Sequence, residues 1–138
     1  ALRTAVFALQ LLLFGIWQRP RIVLTIHLNF TPVAYWLKRL TGIPYWTVAH
    51  GVDAWDIKSP SLQRALHHAD RILSVSGYTR DRLLKEQNID PKKISILPNT
   101  FDANLFKIAP KPVELIKRYN LTPEQPVILT LGRLSKLE

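Results

Sequence analysis

Tyr45-Trp46-Thr47-Val48-Ala49-His50-Gly51-Val52-Asp53 (YWTVAHGVD, 45–53) contains the sharpest change of character in the chain. Five residues suited to a buried strand follow Pro44 and run without a break into a small, polar loop. β-Branched and aromatic residues fit the pleated surface of a sheet, whereas a histidine followed by glycine and a nearby aspartate fits a turn. In an open α/β sheet the loops after the carboxyl ends of the strands carry the ligand-binding groups. His50, Gly51 and Asp53 are therefore the first residues to consider for function.

Upstream of this stretch, Val33, Trp36, Leu37 and Leu40 recur at helical spacing. Pro32 stands near the start and Gly42 follows Lys38, Arg39 and Thr41 as a stop signal. Before that helix, RIVLTI (21–26) is a continuous apolar run of the kind buried on both faces of a parallel sheet. Downstream, a short helix is expected over 61–68, a strand over 71–75, a helix over 76–87 with Leu83 and Leu84 inward, and a strand over 93–97. Strands and helices alternating with short turns predict an α/β fold, a Rossmann-like parallel sheet built from right-handed crossovers.

The regular pattern lapses after Pro98 through Asn99, Asp102, Asn104, Pro110 and Pro112, a composition suited to a crossover between compact units. A short helix is expected over 114–119. PVILTL (126–131) then reads as a new buried strand, followed at once by Gly132 and Arg133. The implied division is a first domain over 1–98, a crossover over 99–125, and the start of a second Rossmann-like domain over 126–138. Beginning at Ala1 and stopping just after that strand, the chain reads as part of something longer.

The 138 residues are 47% hydrophobic and carry 19 Lys and Arg against 10 Asp and Glu, a net charge of +9. That balance favours phosphates, nucleic acid or an anionic surface as partners without choosing among them. With no cysteine, disulfide frameworks, thiolate metal sites and thiol chemistry are all excluded. The opening stretch to Trp17 is apolar but carries Arg3, Thr4, Gln10 and Gly15 and falls short of the roughly 20 residues of a membrane span. It reads as a buried or interfacial helix, the core position being the favoured reading, with Phe14, Trp17, Arg19 and Arg21 as the groups that could meet a membrane interface.

Each candidate residue has a plain reading beside the functional one. His50 is either a cleft group or a structural histidine held by backbone partners, and Asp53 either faces the cleft or caps a turn. Arg133, at a strand end, is either a phosphate fork or a solvated side chain. Ser76 opens a helix whose amides could hold an anion, although ordinary capping is the favoured reading. Asn99 and Asp102 read as residues that fix the turn between units. Arg80, Arg82, Lys85, Lys92 and Lys93 form a basic cluster suited to anionic lipid or polysaccharide, or to plain solvation.

Four strings in one order resemble glycosyltransferase family 4. They are AHGVD (49–53), HADRILSVSGYTRDRL (68–83), KISILPNTFDANLF (93–106) and VILTLGRLS (127–135). The resemblance implies a two-domain GT-B enzyme with its cleft between the domains, the present chain spanning the later part of the acceptor-side domain and the start of the donor-side one. It implies a retaining transfer of sugar from a nucleotide-diphosphate donor to a glycan, lipid or small-molecule acceptor. His50 would lie beside the reacting sugars, Gly132 and Arg133 at the donor phosphates, and Gly51, Asp53, Ser76 and Asn99 along the cleft. No cofactor or metal is expected, and a fragment of this extent should be inactive alone. Thr100 stands where the family usually has glycine, which leaves the local turn open, and Lys136 follows Arg133 too closely to take the family's lysine role. The rival readings are a noncatalytic basic module for nucleic acid and a degenerate partner subunit. No RNA-binding or helix-turn-helix signature accompanies the charge, so nucleic acid is not expected as a partner. The expected setting is cytoplasmic, with peripheral contact on the cytoplasmic face of a membrane as a further expectation.

Overall fold

In a computed structural model the described residues are 2–130, and they divide into two compact units, Ala1–Thr100 and Phe101–Glu138. The first unit contains α1 (Leu2–Gln18), β1 (Val23–Thr25), α2 (Thr31–Thr41), β2 (Tyr45–Ala49), α3 (Pro60–His68), β3 (Arg71–Ser74), α4 (Gly77–Gln87) and β4 (Ile94–Ile96). The second contains α5 (Val113–Arg118). The α/β class expected from the alternation is the observed one.

The four strands are all parallel and lie in the order β1-β2-β3-β4. Right-handed crossovers between strands laid down in one direction put every connecting helix on the same face. Accordingly α2 packs on β1, β2 and α3, and α4 packs on β3 and β4. Beneath these helices Tyr45, Ala49, Ile72, Leu66, Leu83 and Leu28 are fully buried.

The alternate residues face the uncovered side. Leu24 and Leu97 are each 52% exposed there, so RIVLTI is not a doubly buried run as the sequence suggested. The difference is topological, because apolar content marks a strand as fit for two covered faces whereas this strand order covers one.

Local chemistry explains the boundaries. Pro32 and Pro60 stand in the first turns of α2 and α3, where a missing amide hydrogen costs nothing. Gly42 ends α2 at φ 77°, its amide hydrogen-bonded to the Lys38 carbonyl at 2.8 Å. Asn88 ends α4 in the same left-handed region.

Two polar networks join the layers. Thr25, Thr31 and Thr47 bring three buried hydroxyls within 2.8–3.3 Å of one another, tying β1, the start of α2 and β2 together. At the other end of the strands, Asp70 accepts from Lys38 Nζ at 2.7 Å and from the Tyr45 amide at 2.9 Å. Burial raises the Asp70 carboxyl, but the Lys38 and Tyr45 hydrogen bonds and the charges of Lys38 and Lys93 outweigh it and hold the group below its ordinary value.

Helix α1 forms as expected but is not a core helix. Only Gly15 is buried, and α1 packs through a narrow stripe against α2. A Cβ on Gly15 would stand 2.6 Å from Leu37 Cδ2, so a methyl there requires the Leu37 end to turn aside and anything larger would crowd α2.

In the second unit, Lys111 Nζ gathers the carbonyls of Thr122, Pro123 and Gln125, and the Asp102 carboxylate accepts the Asn104 amide at 2.8 Å. Residues 126–130 are exposed and carry no strand pairing. An extended run becomes a strand only when a neighbour takes up its amides and carbonyls, and the described residues of this unit include no strand.

Two outcomes are expected from thermal unfolding followed by circular dichroism. Gly15→Leu loses about 1–3 kcal/mol through overpacking, whereas Gly15→Ala stays near the parent because the Leu37 methyl end can turn aside. An unchanged melting temperature for Gly15→Leu would show that α1 and α2 do not meet there. Because the folded pKa of Asp70 is depressed, its contribution is complete above the unfolded value of about 4 and disappears as pH falls through the folded one. Asp70→Asn should therefore flatten the acid limb of stability, and an identical pH profile in the variant would contradict the network.

Candidate functional site

Because the strands are parallel, their carboxyl ends share one edge, and it presents Ile26 and His27, then His50 and Gly51, then Ser76 and Gly77, then Asn99. The sequence-predicted residues 50, 51, 53, 76 and 99 thus follow three adjacent strands. Gly132 and Arg133 lie outside the described residues.

His50 is exposed and held at two points. Its amide donates to Asp53 Oδ1 at 3.1 Å, and its ring Nε2 stands 2.9 Å from the Ile26 carbonyl, on the neighbouring strand end. A carbonyl only accepts, so Nε2 carries a proton, and Nδ1 has no hydrogen-bond partner among the described residues. The backbone anchor proposed for a structural histidine is therefore real, and it leaves one ring nitrogen to serve a ligand.

Gly51 is buried at φ 127° and ψ −105°, a conformation that side-chain-bearing residues rarely adopt. The nearest atoms to a Cβ there would be Trp55 Cζ2 at 3.8 Å and Thr79 Oγ1 at 3.9 Å, which is ordinary contact. Backbone conformation rather than space requires the glycine. Asp53 reaches back to His50 instead of capping forward, and its second oxygen, Oδ2, is enclosed without a partner.

Ser76 is the N-cap of α4. Its Oγ accepts from the Thr79 amide at 3.2 Å and donates to Thr79 Oγ1 at 3.2 Å. The capping reading of Ser76 is therefore the observed geometry. Asn99 is exposed beyond β4.

Sequence reasoning passed over a cluster that fixes the 50–56 loop to α4. The Trp55 and Tyr78 rings meet edge to face at 5.6 Å, and the Arg82 guanidinium lies 5.1 Å over Trp55. Arg82 pairs with Glu86, which also accepts the Asp56 amide at 3.1 Å. The Asp56 amide and then Arg82 hold the Glu86 carboxyl below its usual range. His27 was also passed over, although it follows β1 much as His50 follows β2. That repeated strand-then-histidine pattern was a usable signal.

The basic cluster is largely engaged internally. Arg80 pairs with Asp81 at 2.8 Å, Arg82 with Glu86, and Lys93 Nζ donates to the His67 carbonyl at 2.6 Å. Among the described residues no group of three or more His, Asp or Glu side chains is placed to hold a metal. No helix among them is long and apolar enough to cross a membrane.

The model of Glycosyltransferase Family 4 matches residues 2–105, which take in the whole four-stranded sheet and the edge just described. This chain belongs to Glycosyltransferase Family 4. Among solved structures, the family 4 chain is similar to HepE of Anabaena, crystallised in complex with UDP. The TM-score is 0.62 at 14% identity, covering 82% of this chain and 32% of HepE. At that identity the likeness is one of fold, and the chain spans about a third of the length of HepE. No curated protein matches it in sequence.

Asp53→Ala should release the His50 amide, raising its hydrogen-exchange rate roughly fivefold, the equivalent of about 1 kcal/mol for one hydrogen bond. Ser76→Ala, which touches α4 instead, should leave that amide unchanged. Equal exchange at His50 in parent and Asp53→Ala would mean that the carboxylate does not organise the loop.

Proposed function

We propose that this segment is the acceptor-side part of a glycosyltransferase that moves a sugar, with retention, from a nucleotide-diphosphate donor to a glycan, lipid or small-molecule acceptor. The observation that carries the reading is His50. It stands at the carboxyl edge of a parallel sheet with one nitrogen committed to the Ile26 carbonyl and the other available. Family membership and the fold shared with HepE, which binds UDP, support it.

In this reading the bond between the anomeric carbon and the diphosphate oxygen breaks, the diphosphate leaves with the electron pair, and the acceptor hydroxyl oxygen bonds to that carbon on the same face and gives its proton to the departing diphosphate. Arg133 neutralises that developing charge with its planar fork, and Gly132 lets the backbone approach. His50 orients the sugar from the facing side, Gly51 and Asp53 hold its loop in place, and Ser76 and Asn99 border the cleft. Closing a donor-side half over this edge excludes water and brings both groups to one ligand. Side-chain charge does the work otherwise given to a metal, so no cofactor is invoked. The proposed setting is cytoplasmic, and taken alone the 138-residue segment turns over no donor.

The test uses an enzyme in which this segment is joined to its donor-side half. His50→Ala should lower kcat about a hundredfold with a smaller change in donor KM. Arg133→Ala should lower kcat and raise donor KM together, because its fork both binds the diphosphate and stabilises the charge that develops on it. Turnover and donor affinity unaltered in both variants would remove the reading.

A further inference from the structure

The outer side of α1 carries an apolar stripe that, among the described residues, neither the sheet nor the other helices of its own unit cover. Leu2, Val6, Leu9, Leu13 and Trp17 recur at intervals of three and four, so they share one face of the helix. They are 79%, 47%, 56%, 57% and 76% exposed. This face is distinct from the one that meets α2 at Gly15. It is also distinct from the one that lines an apolar groove of about 460 Å³ against β1 through Phe7, Leu11 and Phe14. A helix that is apolar all round and packs on one side only has an unmet partner on the other.

Charge selects the partner. From residue 1 to 52 the chain contains Arg3, Arg19, Arg21, Lys38 and Arg39 and no acidic residue; the first is Asp53. Arg3 flanks one end of the stripe, and Arg19 and Arg21 flank the other, next to Trp17. Pairing α1 with a second copy opposes like charges in either orientation. Parallel helices bring Arg3 to Arg3, and antiparallel ones bring Arg3 to Arg19 and Arg21, and α1 itself carries no carboxylate to offset them. An anionic lipid surface resolves both terms, because it accepts the apolar side chains below the headgroups and the guanidinium groups among them. A tryptophan beside two arginines at the end of the stripe suits that boundary, with an apolar ring and a polar edge.

We infer that α1 is an interfacial helix that lays its Leu2-Val6-Leu9-Leu13-Trp17 face on an anionic membrane surface, with Arg3, Arg19 and Arg21 at the headgroups. The inference goes beyond sugar transfer and does not rest on it, since it concerns the far side of α1 and not the strand ends. It deepens the expectation of peripheral contact by naming the face, the depth and the lipid charge.

The experiment is co-sedimentation of the full chain with vesicles of phosphatidylcholine alone and of equimolar phosphatidylcholine and phosphatidylglycerol. The chain should pellet with the anionic vesicles, weakly with the neutral ones, and less as salt rises. Leu9→Gln combined with Leu13→Gln should weaken binding about tenfold, with an unchanged circular dichroism spectrum because both side chains are exposed. Arg19→Glu combined with Arg21→Glu should weaken it about tenfold or more. Equal pelleting on neutral vesicles, or parent-like binding by either double variant, would overturn the inference. So would an equal loss in Leu24→Gln, which lies on the open sheet face. A concentration-dependent dimer dissolved by the Leu9 and Leu13 changes would assign the stripe to a second copy instead.

Discussion

One constraint organises the first unit, namely that four parallel strands were laid down in a single direction. A parallel strand can be followed by another only through a crossover, and the right-handed twist of the chain puts successive crossovers on one side. The helices therefore cover one face and leave the other only partly covered, while all four carboxyl ends open onto one edge. The buried core, the apolar open face and the gathering of His27, His50, Ser76 and Asn99 are consequences of that one arrangement.

The position of His50 depends on the same arrangement through β1. Its ring is anchored to the Ile26 carbonyl, so the direction of the imidazole follows the register between β1 and β2. That register pairs Thr25 with Thr47, and the hydroxyls of the pair close on Thr31 at the start of α2. Slipping β1 by one residue would turn Thr25 to the open face and remove its hydroxyl from the cluster, leaving only the Thr31–Thr47 bond, a loss of about 0.5–1.5 kcal/mol. A three-residue edge strand is weak by itself. The threonine cluster gives it a single alignment, and the catalytic geometry proposed for His50 inherits that precision.

Much of this was legible in the chain itself. Pro32 and Gly42 bounded α2, YWTVA was read as β2, and the strand-then-loop break at His50 identified the edge, because each of these signals is local. Three features were not legible, since none of them is local. The exposure of Leu24 depends on which face the crossovers cover, and an apolar run carries no record of strand order. The Trp55, Tyr78 and Arg82 cluster joins residues more than twenty positions apart, so no spacing rule could bring them together. The run 126–130 has the composition of a strand, but pairing is a property of two segments, and composition describes one.

Helix α1 shows the limit of hydrophobicity as a guide to burial. Its length was too short for a span and its content too apolar for a surface, which left a core helix as the natural reading. A core position, however, requires neighbours on every side, and the number of neighbours is set by the layers available. Here α1 packs against α2, with Gly15 close to Leu37, and lines a groove with β1 through Phe7, Leu11 and Phe14. An apolar helix with neighbours on two sides keeps a further face outward whatever its composition. The absence of acidic residues before Asp53 then becomes informative, because a face meant for water or for an identical partner would gain from mixed charge, and the segments at both ends of this helix carry arginine as their only charged residue.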